Sequence, residues 1–425
     1  MMKILRLRAY CYPENVAASA MGEDIDAEYV RRGIVCINYT PTPSRGVSDE
    51  VRRKYKKIKY EEFHDGHVIV HRFPMIKEGT NIVQKSLKYL LCTIVEYFKG
   101  IRAKDIDLML CSSTPPTQGM LTALVAKQLS RKYGRKVPFV YNLQDIFPDS
   151  LVGTGMTRQG SLLWKIGRRM EDYIYRSADR IIVISEDFKR NIMAKGVPEE
   201  KIVVVPNWAD TDGIYLIERE DNVLFDRYGF DKLTNRGLER DKFYICYSGT
   251  IGHTQNMDLL LDVAKEIKGE LKDVRFVVIG EGAAKAEVEK RIKDEAIDNV
   301  TLLPFQPYAD IASVFSLGDV GLIISKPNVG NNSVPSKTWS YMAAEKPILA
   351  SFDRDSALSS LIESTGCGIV AEAGRKDELI GAIRKMVADP QLTEKGKQGK
   401  DYLVTELNKE KCVKRFVDTL VEAVK

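Results

Sequence analysis

Residues 331–347 read NNSVPSKTWSYMAAEKP. Pro335 and Ser336 can open a helix there, the proline with φ preset and the serine as cap or first-turn residue. Lys337 falls in that first turn, where a cation opposes the helix dipole. A lysine so placed is either a solvated surface residue or the partner of a bound anion. The stretch SGTIGHTQN, residues 248–256, follows an apolar run and opens a helical one. Gly249 and Gly252 permit a tight turn whose free amides can approach a phosphate. IGEG, residues 279–282, is a second strand end with a glycine turn, a weak signal alone, in which Glu281 can reach a hydroxyl.

Other candidates lie in the first half. YNLQDIFPDS, residues 141–150, puts Asp145 and Asp149 in one short loop, although Asp149 or Ser150 can equally cap a helix. CYPENVAASAMG, residues 11–22, follows the first strand and offers Glu14, Asn15 and Ser19. HDGHVIVHRF holds His64, His67 and His71. Asp65-Gly66 is a hairpin turn signal, and His67 and His71 match no standard metal-ligand spacing, so a structural role is expected. No Asp-x-Asp metal motif is evident, and no metal or cofactor is expected.

Short apolar strands alternate with amphipathic helices along the chain, which predicts an α/β protein with parallel sheets. The first series of strands is KILRLRAY, VCINYT, HVIVHRF, LMLCS, FVYNLQD, RIIVIS and IVVVPN. After a polar stretch at 218–242 the pattern restarts with FYICYSGTI, RFVVIGEG, NVTLLPF, VGLIIS and KPILAS. Two doubly wound, Rossmann-like domains are therefore expected, 1–208 and 209–402, facing across a cleft, with a last helix at about 403–425 packing back on the first. Ligands in such sheets sit beyond the carboxyl ends of the strands at a topological switch point.

With 425 residues, a net charge of +5, 44% hydrophobic and 29% charged residues, the chain reads as an ordinary globular protein of two domains. The mild charge does not call for nucleic acid. Its seven scattered cysteines form no C-x-x-C pair, which fits a reducing cytoplasm. No run approaches the ~20 apolar residues that span a bilayer. The basic run RRKYKKIKY, residues 52–60, reads as a solvated loop, a strand edge or an anionic-surface contact. Residues 81–104 set Val83, Leu87, Leu90, Leu91, Ile94, Phe98 and Ile101 at helical spacing with lysines opposite, a pattern for core packing or for docking on a membrane surface.

Three segments, residues 177–210, 247–289 and 299–351, together resemble the retaining family 4 glycosyltransferases of GT-B architecture, and within them bacterial capsule and O-antigen enzymes of the N-acetyl-fucosamine type. The resemblance implies a nucleotide-sugar donor, UDP-linked, and an undecaprenyl-pyrophosphate-linked saccharide as acceptor. It also implies work at the cytoplasmic membrane's inner face, without a divalent ion. On the donor side it points to Gly249, Thr250, Gly252, Gln255, Glu281, Phe305, Ser333, Pro335, Ser336 and Ser340. Many family members carry two glutamates at the positions of Asn332 and Ser340, and an arginine and a lysine at those of Thr250 and Gln255. Here all four are neutral. That leaves Lys337 as the cation for the leaving phosphate, with Asn332 near the donor sugar and Asp145 as a polar group on the acceptor side, all three counted as catalytic. Glu14, Asn15 and Ser19 line the acceptor loop. GT-B folds also host UDP-sugar 2-epimerases, which use acids and histidines in the cleft, and a non-catalytic nucleotide-sugar binder is the third reading. Only four histidines are present, which disfavours the epimerase.

Overall fold

The computed structural model describes residues 1–14, 19–78, 82–113, 115, 117–153, 157–208, 213–231, 237–329 and 335–425. Asn15, Asn332 and Ser333 lie outside the described residues, as does the side chain of Ser19. The chain divides into two units, one formed by Met1–Asn207 with Glu410–Lys425 and the other by Trp208–Lys409.

In the first unit β1 (Lys3–Leu7), β2 (Val35–Pro41), β3 (Tyr60–Phe63), β4 (Val68–Phe73), β5 (Leu108–Ser112), β6 (Phe139–Leu143), β7 (Arg180–Val183) and β8 (Ile202–Val204) form one sheet. The order is β3-β4-β2-β1-β5-β6-β7-β8, parallel except for the β3–β4 hairpin. The switch point lies between β1 and β5. The apolar run of β5 is buried for four of its five residues, as a central parallel strand with both faces covered requires.

Sequence patterning missed β3. The basic run at 52–60 is also not a loop: it lies mostly in a helix, Asp49–Lys57, whose first turn Ser48 caps by accepting the Val51 N–H. The Asp65-Gly66 turn is as expected, with both residues at positive φ. His67 Nδ1 lies 2.8 Å from the Ile34 carbonyl, and His71 lies between the Tyr39 and Tyr60 rings. Both histidines are structural.

The second unit holds β9 (Phe243–Ser248), β10 (Val274–Ile279), β11 (Val300–Leu303), β12 (Val320–Ile324), β13 (Ile348–Phe352) and β14 (Gly368–Glu372), ordered β11-β10-β9-β12-β13-β14 and all parallel. β14 is one strand more than the sequence pattern suggested. Its switch point lies between β9 and β12, so the loops leaving those two strands define where a ligand can enter.

Candidate functional site

The helix Lys337–Ala343 follows β12 and is only seven residues long, so packing rather than propensity must hold it. Tyr341 does this. Its ring lies flat over Gly321, where a Cβ would sit 2.3 Å from a ring carbon, and meets Phe315 edge-on at 5.1 Å. Its hydroxyl donates to the Cys246 carbonyl at 2.6 Å. At the far end Lys400 Nζ donates to the Ala343 carbonyl at 2.8 Å. The short helix is thereby pinned beside β9, with its first residue, Lys337, at the carboxyl end of the sheet.

Lys337 reaches over the β9 loop. Its Nζ lies 3.6 Å from the centroid of the Tyr247 ring, and a Cβ at Gly249 would meet that Nζ at 3.0 Å. Gly249, at φ +140°, leaves the space the amine uses. The fully buried Tyr247 is held in turn, its hydroxyl donating to the Thr250 carbonyl at 2.6 Å. Among the described residues Lys337 makes no ion pair, and burial pulls its pKa down to about 7. The amine thus lies against an aromatic face, with no counter-ion among the described residues and its charged form disfavoured, a setting in which an added anion would be stabilising.

The glycine loops are laced together by backbone bonds. Gly249 N–H donates to Ile279 O at 2.9 Å, Ile251 N–H to Glu281 O at 2.9 Å, and Ala284 N–H to Ile251 O at 3.0 Å. The approach is so close that a Cβ at Gly280 would fall 1.9 Å from the Gly249 oxygen. The Gly252 N–H donates to the Gln255 carboxamide oxygen at 3.1 Å, which holds that side chain against the turn. Thr250 is exposed.

The other donor-side residues are placed as follows. Ser336 stands at the helix cap position but makes no capping bond, and Pro335 accepts the Thr338 N–H through its carbonyl at 3.0 Å. Ser340 is partly buried on the same helix. Glu281 is engaged by Lys285 at 2.7 Å. Phe305 is 69% exposed, which rules out a core role and leaves its ring open to a ligand. Lys337, Gly249, Thr250, Gly252, Gln255 and Glu281 thus gather on the β9, β10 and β12 loops. Tyr247, the platform beneath the lysine, escaped the sequence reading. An aromatic residue two positions before the turn glycine was the available signal.

The acceptor candidates belong to the first unit. Ser113, buried after β5, accepts the backbone N–H groups of Gln144 and Asp145, both at 3.1 Å, and so fixes the loop after β6. Burial raises the pKa of Asp145, against a hydrogen bond from Ser150. Asp149 opens a short helix and pairs with Lys195 at 2.7 Å. Glu14 is 2% exposed, and its carboxylate accepts N–H groups from Cys11, Ser44 and Arg45 at 3.2, 2.8 and 2.9 Å. Its role is to tie the loops after β1 and β2, which corrects the expectation that it faces an acceptor. Next to it Glu78 holds Lys88 at 2.8 Å and receives the Tyr10 hydroxyl at 2.7 Å. Burial works to raise the Glu78 pKa, but Lys88 and Tyr10 outweigh it and leave it lowered. Among the described residues no three His, Cys, Asp or Glu side chains gather as a metal-ligand group.

The family described as Glycosyl transferase 4-like domain matches residues 24–208, and Glycosyl transferases group 1 matches residues 231–401. Each half of the chain thus carries a match to a glycosyltransferase family model. The "Probable glycosyltransferase WbjE" of Pseudomonas aeruginosa is 27% identical over 267 residues, 63% of this chain and 62% of that protein. The lipopolysaccharide 1,2-N-acetylglucosaminetransferase of Salmonella typhimurium is 22% identical over 253 residues, 57% of this chain and 62% of that protein. The chain therefore aligns with somewhat under two thirds of the length of each. Among solved structures, Anabaena HepE in complex with UDP superposes with a TM-score of 0.70 at 16% identity, covering 99% of this chain and 100% of that one. WaaG, a glycosyltransferase involved in lipopolysaccharide biosynthesis, gives 0.65 at 11%, covering 98% and 99%. The fold is of the GT-B class, with two parallel-sheet α/β domains.

Proposed function

We propose that this glycosyltransferase moves a sugar of the N-acetylamino class from a UDP-sugar to a saccharide on undecaprenyl pyrophosphate, with retention at the anomeric carbon, in bacterial surface polysaccharide assembly of the capsule or O-antigen kind. The observation that carries the reading is the Lys337 amine, without an ion pair among the described residues, above the Gly249 loop at the switch point. A nucleoside diphosphate gains negative charge as its bond to the sugar breaks, and a desolvated cation with nearby amides stabilises that charge. Thr250 and the Gln255 carboxamide donate hydrogen bonds where charged clamps are absent, and the open Phe305 ring is available to the base. HepE was solved with UDP, and the Salmonella relative is named for an N-acetylglucosamine transfer.

With Asn332 and Ser340 in place of carboxylates, no acid on the donor helix can act as base. The leaving phosphate takes the acceptor proton, while Asp145 orients the acceptor saccharide. Asn332, Ser333 and Ser340 hold the donor sugar and ribose through neutral hydrogen bonds. Asn15 and Ser19 serve the acceptor side. The reaction needs no metal, and the enzyme works from the cytoplasmic side at the membrane surface.

A panel of UDP-, GDP-, dTDP- and ADP-sugars offered with a lipid-linked saccharide tests the reading, with the product followed by mass spectrometry and its anomeric configuration by NMR. Transfer from a UDP-N-acetylamino sugar with retained configuration is expected. Epimerisation of the free nucleotide sugar, or UDP binding without any transfer, would replace this reading by one of the two alternatives.

A further inference from the structure

The Ile82–Gly100 helix is turned the opposite way to an ordinary crossover helix, whose apolar stripe faces its sheet. Leu87, Leu90, Ile94 and Phe98 are 49, 59, 47 and 47% exposed, and Leu91 is exposed beside them. The inward face carries Lys88, Cys92 and Glu96, all buried. Each inward charge is spoken for: Lys88 by Glu78 at 2.8 Å and Ser44 at 2.9 Å, Glu96 by Gln118 at 2.7 Å. Rotating the helix to hide its leucines would strip those partners from two buried charges, so the exposure is fixed by the fold.

Beside the stripe lies the basic Asp49–Lys57 helix. A groove of about 870 Å3 runs between the two, lined by Arg53, Lys56 and Lys77 together with Met75, Ile76 and Leu91. Arg52 is consumed by the Pro43 and Met75 carbonyls, and Lys77 pairs with Asp49. Arg53, Lys54, Lys56 and Lys57 are exposed and form no ion pair among the described residues. Arg102 adds a further cation at the stripe's end, over the Phe98 ring at 5.7 Å.

We propose that this face, an apolar stripe edged by unpaired cations, docks the protein on an anionic lipid bilayer. The stripe enters the acyl boundary while the cations meet the headgroups. Charge complementarity selects this occupant: a second copy would bring the same cations against themselves. The inference leans on the transfer reading only for its purpose, since a lipid-linked acceptor is met at such a surface.

Flotation of the full-length protein with phosphatidylcholine vesicles containing about one third phosphatidylglycerol, against pure phosphatidylcholine, provides the test. Binding to the anionic vesicles alone is expected, weakened by salt. It should fall by about tenfold or more in Leu90→Asp/Ile94→Asp and in Arg53→Glu/Lys56→Glu, with unfolding midpoints unchanged. Wild-type protein that ignores anionic vesicles, or variants that bind as wild type does, overturns the proposal. So does a vesicle-free dimer that the Leu90→Asp/Ile94→Asp pair dissolves, which makes a second copy the occupant. UDP affinity, measured without vesicles, reports separately on the transfer reading.

Discussion

The Lys337 amine rests 3.6 Å above the centre of the Tyr247 ring, close over the Gly249 turn. The ring face offers a partial substitute for a counter-ion, while partial burial weakens the amine's hydration. A loop amine on a surface would be solvated and indifferent to pH near neutrality. This one is poised to change charge when an anion arrives.

The affinity for UDP should therefore depend on pH. Burial lowers the Lys337 pKa to about 7, so above neutrality the empty site is mostly uncharged, and binding a diphosphate draws in a proton. Titration calorimetry between about pH 7.5 and 9 should show affinity falling by up to about tenfold per pH unit, with a proton uptake that varies with buffer. Lys337→Met should bind weakly and without that slope. The same shift acts on folding: the unfolded lysine binds a proton up to higher pH, so the empty protein gains stability as pH rises from about 7 towards 10.5.

Gly280→Ala should unfold at lower urea, by at least ~2 kcal/mol, because its Cβ would fall 1.9 Å from the Gly249 oxygen. UDP affinity should drop with it, as the Gly249 turn must shift to make room. An alanine variant with wild-type stability would show that the two loops are not laced as described.

Glu96 supplies a stability prediction in the other unit. Burial raises its pKa to about 7, against hydrogen bonds from Gln118 and Cys92. A carboxyl whose folded pKa is raised contributes stability below its unfolded pKa and loses it as pH rises through the folded one. Thermal unfolding should thus show a fall between about pH 4.5 and 7, and Glu96→Gln should remove it, leaving the variant more stable at pH 8 by up to ~3 kcal/mol. An unchanged pH profile would refute the assignment.

Much of the fold was legible because parallel strands buried on both faces leave continuous apolar runs, as in LMLCS and VGLII. β3 and β14 escaped for a physical reason. YEEF is polar because it lies at the sheet edge, and GIVAE is short, glycine-led and partly exposed. The 81–104 helix could be recognised by period but not oriented, since its direction depends on partners such as Glu78 and Gln118 that sit elsewhere in the chain. At the site, Lys337 and Gly249 stood out by type and spacing. Tyr247 did not, because a strand aromatic looks like core until the lysine is found upon it. Glu14 misled for the opposite reason: a carboxylate in a loop looks available until three amide N–H groups are found on it.

The most direct test of the central claim is the transfer rate of Lys337→Ala with a UDP-sugar and a lipid-linked acceptor, at saturating donor. If the amine stabilises the leaving diphosphate, the rate should fall by about 100-fold or more while the unfolding midpoint holds or rises. A Lys337→Ala enzyme that retains near wild-type turnover would contradict the account.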